Sequence, residues 1–293
     1  MADQRQAGTI YDLGYQRYTG ARLGRGYAFR TLFAHAFRTA FGAGRGQKAQ
    51  QLPVIAVMLV IAPAIIQVGI AAATGSTQVI NYAQQLQFTA FVLALFTAGQ
   101  APEVIVGDRE LGTLSLYLSR SLHTTDYAMA KLLALFTAIG VLTFGPQLVM
   151  FGGNVLLNEA PWTAFKNEAE MLLPIAAGTL LAAFYLAAVG LSLASIARKR
   201  NSASAIVVAF FIVLPTVSAL AIDIAKGDVK RYMVLLNPFL LMTGFANWMF
   251  DVQARRGMVG RAELPGEYYA YAIIGTCMLA VIGLAFRYRK AEE

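Results

Sequence analysis

Histidine and cysteine are almost missing: His35, His123 and Cys277 are the whole supply in 293 residues. One thiol closes no disulfide within a chain, and two separated imidazoles cannot assemble the ligand shell of a structural zinc. Charge is sparse as well, 14% of residues against roughly 25% in an ordinary soluble domain. The strict polar and apolar alternation of a membrane β-barrel is absent. No phosphate-binding loop appears either: Gly42, Gly44, Gly46 and Lys48 have its residue types at the wrong spacing, with no strand pattern before them. Any nucleotide is therefore expected on a partner chain. Intramembrane proteolysis would need a serine and histidine, or two aspartates, at membrane depth. The run Gly190, Leu191, Ser192, Leu193, Ala194 lacks the second glycine of a nucleophile elbow, and neither histidine falls in an apolar run. No catalytic, cofactor or metal site is expected, and no enzyme.

What is present is apolar and comes in long stretches. Hydrophobic residues make up 57% of the chain, in runs of about twenty, the length that crosses about 30 Å of hydrocarbon at 1.5 Å per residue. The sequence predicts an all-α membrane protein with six spans, at about 53–73, 87–106, 127–152, 171–197, 203–223 and 268–286. Residues 1–48 read as a polar, basic segment and 49–293 as the transmembrane domain. Within the first segment no apolar core appears in the first thirty positions, as a cleaved signal would require. Phe29, Phe33, Phe37 and Phe41 share one arc with Ala36 and Ala40, which predicts an amphipathic helix over 27–42 lying in the membrane interface.

The net charge of +8 is explained by topology. No basic and aromatic residues interleave in a nucleic-acid-binding pattern, so no nucleic-acid partner is expected. The loops 74–86 and 153–170 contain one basic residue between them, Lys166, whereas Arg109, Arg120, Lys131, Arg198, Lys199, Arg200, Arg287, Arg289 and Lys290 gather on the other side. The positive-inside rule then puts both termini in the cytoplasm of a chain embedded in the plasma membrane. Residues 232–250 are apolar but interrupted at Asn237 and Pro238, and predict a helical hairpin dipping into the outer leaflet rather than a seventh span.

No Asp, Glu, Lys or Arg falls in the middle of a span, which counts against transport coupled to protons or sodium. The polar residues within spans are amides and hydroxyls, among them Gln67, Gln100, Thr143, Gln147, Ser192, Ser195 and Ser218. They read either as the lining of a substrate path or as helix-to-helix hydrogen bonds of about 0.6 kcal/mol each. Pro63, Pro146, Pro174 and Pro215 are sites where spans can bend.

Between the second and third spans lies a charged handle, Pro102 to Lys131. Gly107 offers a break, Asp108 stands where a carboxylate favours a helix start, and Leu111, Leu114 and Leu118 would then line one face. Arg109, Glu110 and Thr113 point elsewhere. Such a surface helix suits either a partner's groove or the headgroup layer.

The run Asp108, Arg109, Glu110, Leu111, Gly112, Thr113, Leu114, followed by Leu118, Ser119, Arg120, Asp126, Tyr127 and Lys131, resembles the cytoplasmic segment of type-2 ABC exporter permeases. Ser121 and Thr124 depart from it, standing where that family commonly has a proline and a basic residue. The resemblance implies a coupling helix that docks on a separate ATP-binding subunit, which carries ATP and Mg. It also implies a second permease, identical or homologous, and docking contacts at Asp108, Arg109, Glu110, Leu111, Thr113, Leu114 and Arg120. Arg198, Lys199 and Arg200 stand either as a second contact or as topology determinants. The alternative to a transporter is a non-transporting scaffold or signalling subunit, and after that a passive channel.

Overall fold

The computed structural model describes residues 23–76, 79, 81–114, 117, 122–224, 228–252 and 257–289. Among these the chain is helical, with no strand. An amphipathic helix α1 (Arg25–Ala40) precedes a long apolar helix α2 (Gln47–Thr74), which stops at Gly75 in the left-handed conformation, φ 66°. Helix α3 (Tyr82–Ile105) starts on Asn81, whose side chain accepts the amide of Gln84 at 2.9 Å. It runs on through Val106 into the short α4 (Gly107–Glu110). Then come α5 (Thr124–Leu156), α6 (Pro161–Glu168) with proline at its first turn, and α7 (Leu172–Ile196). Next, α8 (Arg200–Val208) passes through a π turn (Ala209–Val213) into α9 (Leu214–Ile224). Short helices α10 (Asp228–Met233), α11 (Pro238–Met249) and α12 (Gly257–Ala262) lead to the last long helix, α13 (Gly266–Arg289).

Six stretches are long and apolar enough to cross a membrane: Gln47–Thr74, Tyr82–Glu110, Thr124–Leu156, Pro161–Ile196, Arg200–Ile222 and Gly266–Arg289. The protein is thus a multi-pass membrane protein. The helices outreach the apolar stretches because charged and polar residues continue them past the hydrocarbon.

At the centre stands α3. Of its apolar window 78% is buried within the chain, against 22% for α2 and for the stretch from Arg200. It packs on α7, α8, α5, α11 and α2. Lipid is as apolar as leucine, so close helix crossings in a membrane rely on small residues and dispersion. The contact of α3 with α7 is of that kind: Ala183, Ala187 and Gly190 on α7 are buried, and a Cβ at Gly190 would lie 2.1 Å from Thr97 Cγ2. Amides tie the neighbours to α3. Gln85 donates to the Val60 carbonyl of α2 at 2.8 Å, and Gln147 of α5 donates to the Tyr82 carbonyl at 3.0 Å.

The segment 232–250 makes no seventh span. It turns at Asn237, which is extended (ψ 112°) and caps α11 by accepting the amides of Phe239 and Leu240. Its Nδ2 donates to the Pro215 carbonyl at 3.1 Å, tying the turn to α9. Helix α11 packs its buried face, Leu241, Met242 and Phe245, against α13 and α3. The five-residue π turn ends two positions before Pro215, whose ring cannot donate the amide that an α-helix would use there.

Gly190→Val forces the α3–α7 crossing apart and lowers stability by about 1–3 kcal/mol, read as a lower unfolding midpoint of the detergent-solubilised protein. Gly275→Ala, where an added Cβ meets nothing within 4 Å, leaves that midpoint unchanged or slightly raised.

Candidate functional site

The charged handle begins as a continuation of α3. The amide of Val106 bonds to the Pro102 carbonyl, that of Glu110 to Val106 and that of Leu111 to Gly107, so the helix does not break at Gly107. It ends four residues later. Gly112 takes φ 70°, its amide bonds back to the Arg109 carbonyl, and the Thr113 amide bonds to the Asp108 carbonyl at 2.9 Å. That reciprocal pair is a Schellman motif, and glycine is the residue that adopts its left-handed position without strain. The single helix expected to start at Asp108 and continue past Leu114 is therefore divided. Residues 108–111 close the helix of the second span, and after the turn Leu114 and Tyr117 are each helical again. Asp108 does not stand at the N-cap of α4, a position held by Val106.

Asp108 faces inward instead. Its carboxylate takes Lys131 Nζ at 2.7 Å and the Tyr127 hydroxyl at 2.9 Å. The Lys131 side chain is 1% exposed, and its ammonium also stands 5.4 Å from the centre of the Tyr127 ring. Burial, and after it the Asp108 carboxylate, raise the pKa of the nearby Tyr117 hydroxyl, which stays neutral.

Arg109 reaches the other way. It donates to the Ser195 and Ala197 carbonyls, each at 3.2 Å, and to the Tyr288 hydroxyl at 3.2 Å. The first two acceptors belong to the C-terminal end of α7, where carbonyls lack helical partners and the dipole favours a cation. Its guanidinium also lies over the Tyr288 ring, 5.6 Å from the centre. Two adjacent residues thus fasten the turn to α5, α7 and α13.

A second set of charges surrounds this one. Arg200, the first residue of α8, holds Glu110 at 2.5 Å and Glu103 at 2.8 Å. Arg45, between α1 and α2, pairs with Glu103 and donates to the Thr39 carbonyl at 2.7 Å and to Gln100 Oε1 at 3.2 Å. At the start of α1, Arg25 makes a two-pronged bond to Asp126, both contacts at 2.6 Å. That carboxylate raises the Arg25 pKa further.

Of the residues expected to dock a partner, Leu111 is the most open at 69%, and Glu110 is exposed beside it. Thr113 and Leu114 are half-buried, and Arg120 lies outside the described residues. Arg198 and Lys199 are exposed, whereas Arg200 belongs to the ion-pair network. The polar span residues do not converge on one path. Gln67 bonds to Gln85 and to the Asn81 amide, and Gln147 to Tyr82, at the start of α3, while Gln100 accepts from Arg45 at its far end. Thr143 bonds back to its own helix at Ile139, and the Ser192 carbonyl accepts from Ser195.

Lys131, Tyr288, Arg45 and Glu103 complete the network without having been singled out for it. The Lys131 pairing had a signal, since it stands four residues after Tyr127 on the same helical face. Tyr288 and Arg45 had none, one being brought in from the last helix and the other from the connection between α1 and α2.

A family model described as ABC-2 family transporter protein matches residues 20–288. No curated protein matches the chain.

Asp108→Asn leaves Lys131 buried without its counter-charge, a change of about 3–5 kcal/mol that a thermal unfolding scan reads as a marked fall in midpoint. Replacing both members, Asp108→Leu with Lys131→Met, recovers most of the loss.

Proposed function

The chain belongs to the ABC-2 transporter family, and from that premise we propose that it is the permease subunit of an ABC exporter whose charged turn after the second span receives an ATP-binding subunit. The observation that carries this reading is the division of labour within the turn. Glu110 and Leu111 stand at the exposed tip, while Asp108 and Arg109, directly beneath, are fastened to α5, α7 and α13. A push on the tip is delivered to three spans at once, and through the unbroken helix to α3 as well. A loosely attached loop would dissipate it.

The partner supplies ATP and Mg; this chain supplies the surface and the lever. Closure of the ATPase pair biases the spans between two arrangements, since packed interfaces switch rather than deform continuously. Two such permeases, identical or homologous, pair in the plasma membrane, with both termini and the charged turn in the cytoplasm. The wide apolar faces of α2 and of the helix from Arg200 are available for lipid and for that second subunit. In this reading Leu111, Glu110, Thr113 and Leu114 touch the ATPase. Asp108 and Arg109 act as braces behind them, and Arg120 extends the contact.

Leu111→Asp tests the assignment. The variant inserts and unfolds at the wild-type midpoint, because the side chain is exposed, but no longer co-purifies a P-loop ATPase in mild detergent. Wild-type recovery of that ATPase would overturn the docking surface. Glu110→Arg loses ATPase stimulation too.

A further inference from the structure

A cavity of about 660 Å³ opens between α1 and the base of the charged turn, lined by residues of both together with Arg45, Lys131 and Arg200. Its chemistry is lopsided. Arg38, Arg45, Lys131 and Arg200 face two carboxylates, Glu103 and Asp108. Counting Glu110, which holds Arg200 from outside the cavity, the cations still outnumber the acids. Three of the four cations are already engaged in ion pairs that fix the walls: Arg45 and Arg200 on Glu103, and Lys131 on Asp108. Arg38 is different, being exposed and without an ion-pair partner among the described residues. His35, one turn earlier on the same face of α1, lines the cavity beside it.

The end of a helix would ordinarily repel an anion here, since α1 terminates next to Arg38. Its last carbonyls are, however, occupied. The Arg38 carbonyl accepts the amides of Phe41 and Ala43, and the Thr39 carbonyl accepts Gly42 and the Arg45 guanidinium. The depth is also informative. Arg45 lies two residues before α2, Glu103 near the end of α3, Lys131 in the second turn of α5 and Arg200 at the start of α8. Four spans end around this cavity, so it opens at the level where lipid headgroups lie.

We infer that this cavity is a binding site for a phosphate group, with Arg38 as its free ligand and the ion-paired cations as its walls. A phosphodiester of an anionic lipid in the adjoining leaflet and a free phosphate share the required chemistry. Basic residues at a membrane surface attract such lipids, and guanidinium groups suit phosphate oxygens. The inference rests on the membrane-spanning arrangement and on the cavity's charge, and it stands whether or not the turn docks an ATPase.

The test is a binding titration on the full chain in detergent, following stabilisation against heat. Short-chain phosphatidylglycerol, short-chain phosphatidylcholine and inorganic phosphate are added separately. Phosphatidylglycerol stabilises saturably and phosphatidylcholine does not. Arg38→Gln weakens the effect about tenfold, equivalent to about 1.4 kcal/mol, Arg38→Lys retains most of it, and Lys48→Gln, an exposed cation outside the cavity, leaves it unchanged. Inorganic phosphate acting as strongly as the lipid, with the same dependence on Arg38, identifies a site for the free anion. Absence of any anion effect, or equal weakening by Arg38→Gln and Lys48→Gln, overturns the inference, the latter showing diffuse surface attraction only. Unchanged midpoints of the ligand-free variants establish that Arg38→Gln has not disturbed the fold.

Discussion

A lysine ammonium with almost no exposure, in a long and mostly apolar helix, has to be answered by an anion, and Asp108 is the one that answers it. The position of the turn follows from that pairing. An ion taken out of water carries a desolvation penalty of several kcal/mol, repaid only by close geometry and extra hydrogen bonds. Here the Tyr127 hydroxyl supplies the extra bond. With Asp108 held, helical geometry sends Arg109 about 100° away around the axis, toward α7 and α13, and leaves Glu110 and Leu111 outermost. A buried pair of this kind is weak evidence for net stability but strong evidence for a specified arrangement: the turn has one seating that leaves neither charge unpaired.

The surrounding charges extend the seating outward. Glu103 and Glu110, seven residues apart on one helix, are bridged by Arg200, and Glu103 is shared with Arg45. The connection after α1, the start of α8 and the base of the turn therefore meet on a common anchor. In the hydrocarbon, by contrast, the closest contacts are made by small residues, which give closeness without a strong directional preference, supplemented by a few amide hydrogen bonds. Ion pairing among the described residues is concentrated at the end of the bundle that carries the proposed docking surface, and the cavity with Arg38 lies in the same layer.

Much of the fold was legible in the sequence for a simple reason: apolar runs of span length have few alternatives to crossing a bilayer, because backbone groups in lipid must be satisfied within the segment. The six helices and the interruption at Asn237 and Pro238 follow from that constraint and from proline's missing amide. The turn was legible in its residues but not in its geometry. Asp108 suits a helix start, where acidic residues are favoured, while Gly112 two positions after Glu110 carries the opposite signal, a helix stop. In a membrane protein the choice between them depends on what lies buried behind the carboxylate, here a lysine nearly a whole connecting segment away. Pairings such as Arg25 with Asp126 and Arg109 with Tyr288 join residues separated by 101 and 179 positions, and no local pattern announces them.

The unbroken helix from Tyr82 to Glu110 has a bearing on how such a chain can change over time. Along it, side-chain direction is a matter of phase. One residue inserted or lost between Ile105 and Asp108 would turn everything beyond by about 100°, presenting Asp108 to the wrong neighbour and swinging Glu110 away from Arg200 in the same stroke. Length changes after Gly112, where the helix has already ended, carry no such rotation back into the bundle. Lineages of this protein should therefore be free to lengthen or shorten the far side of the turn, while the stretch before the glycine keeps its count.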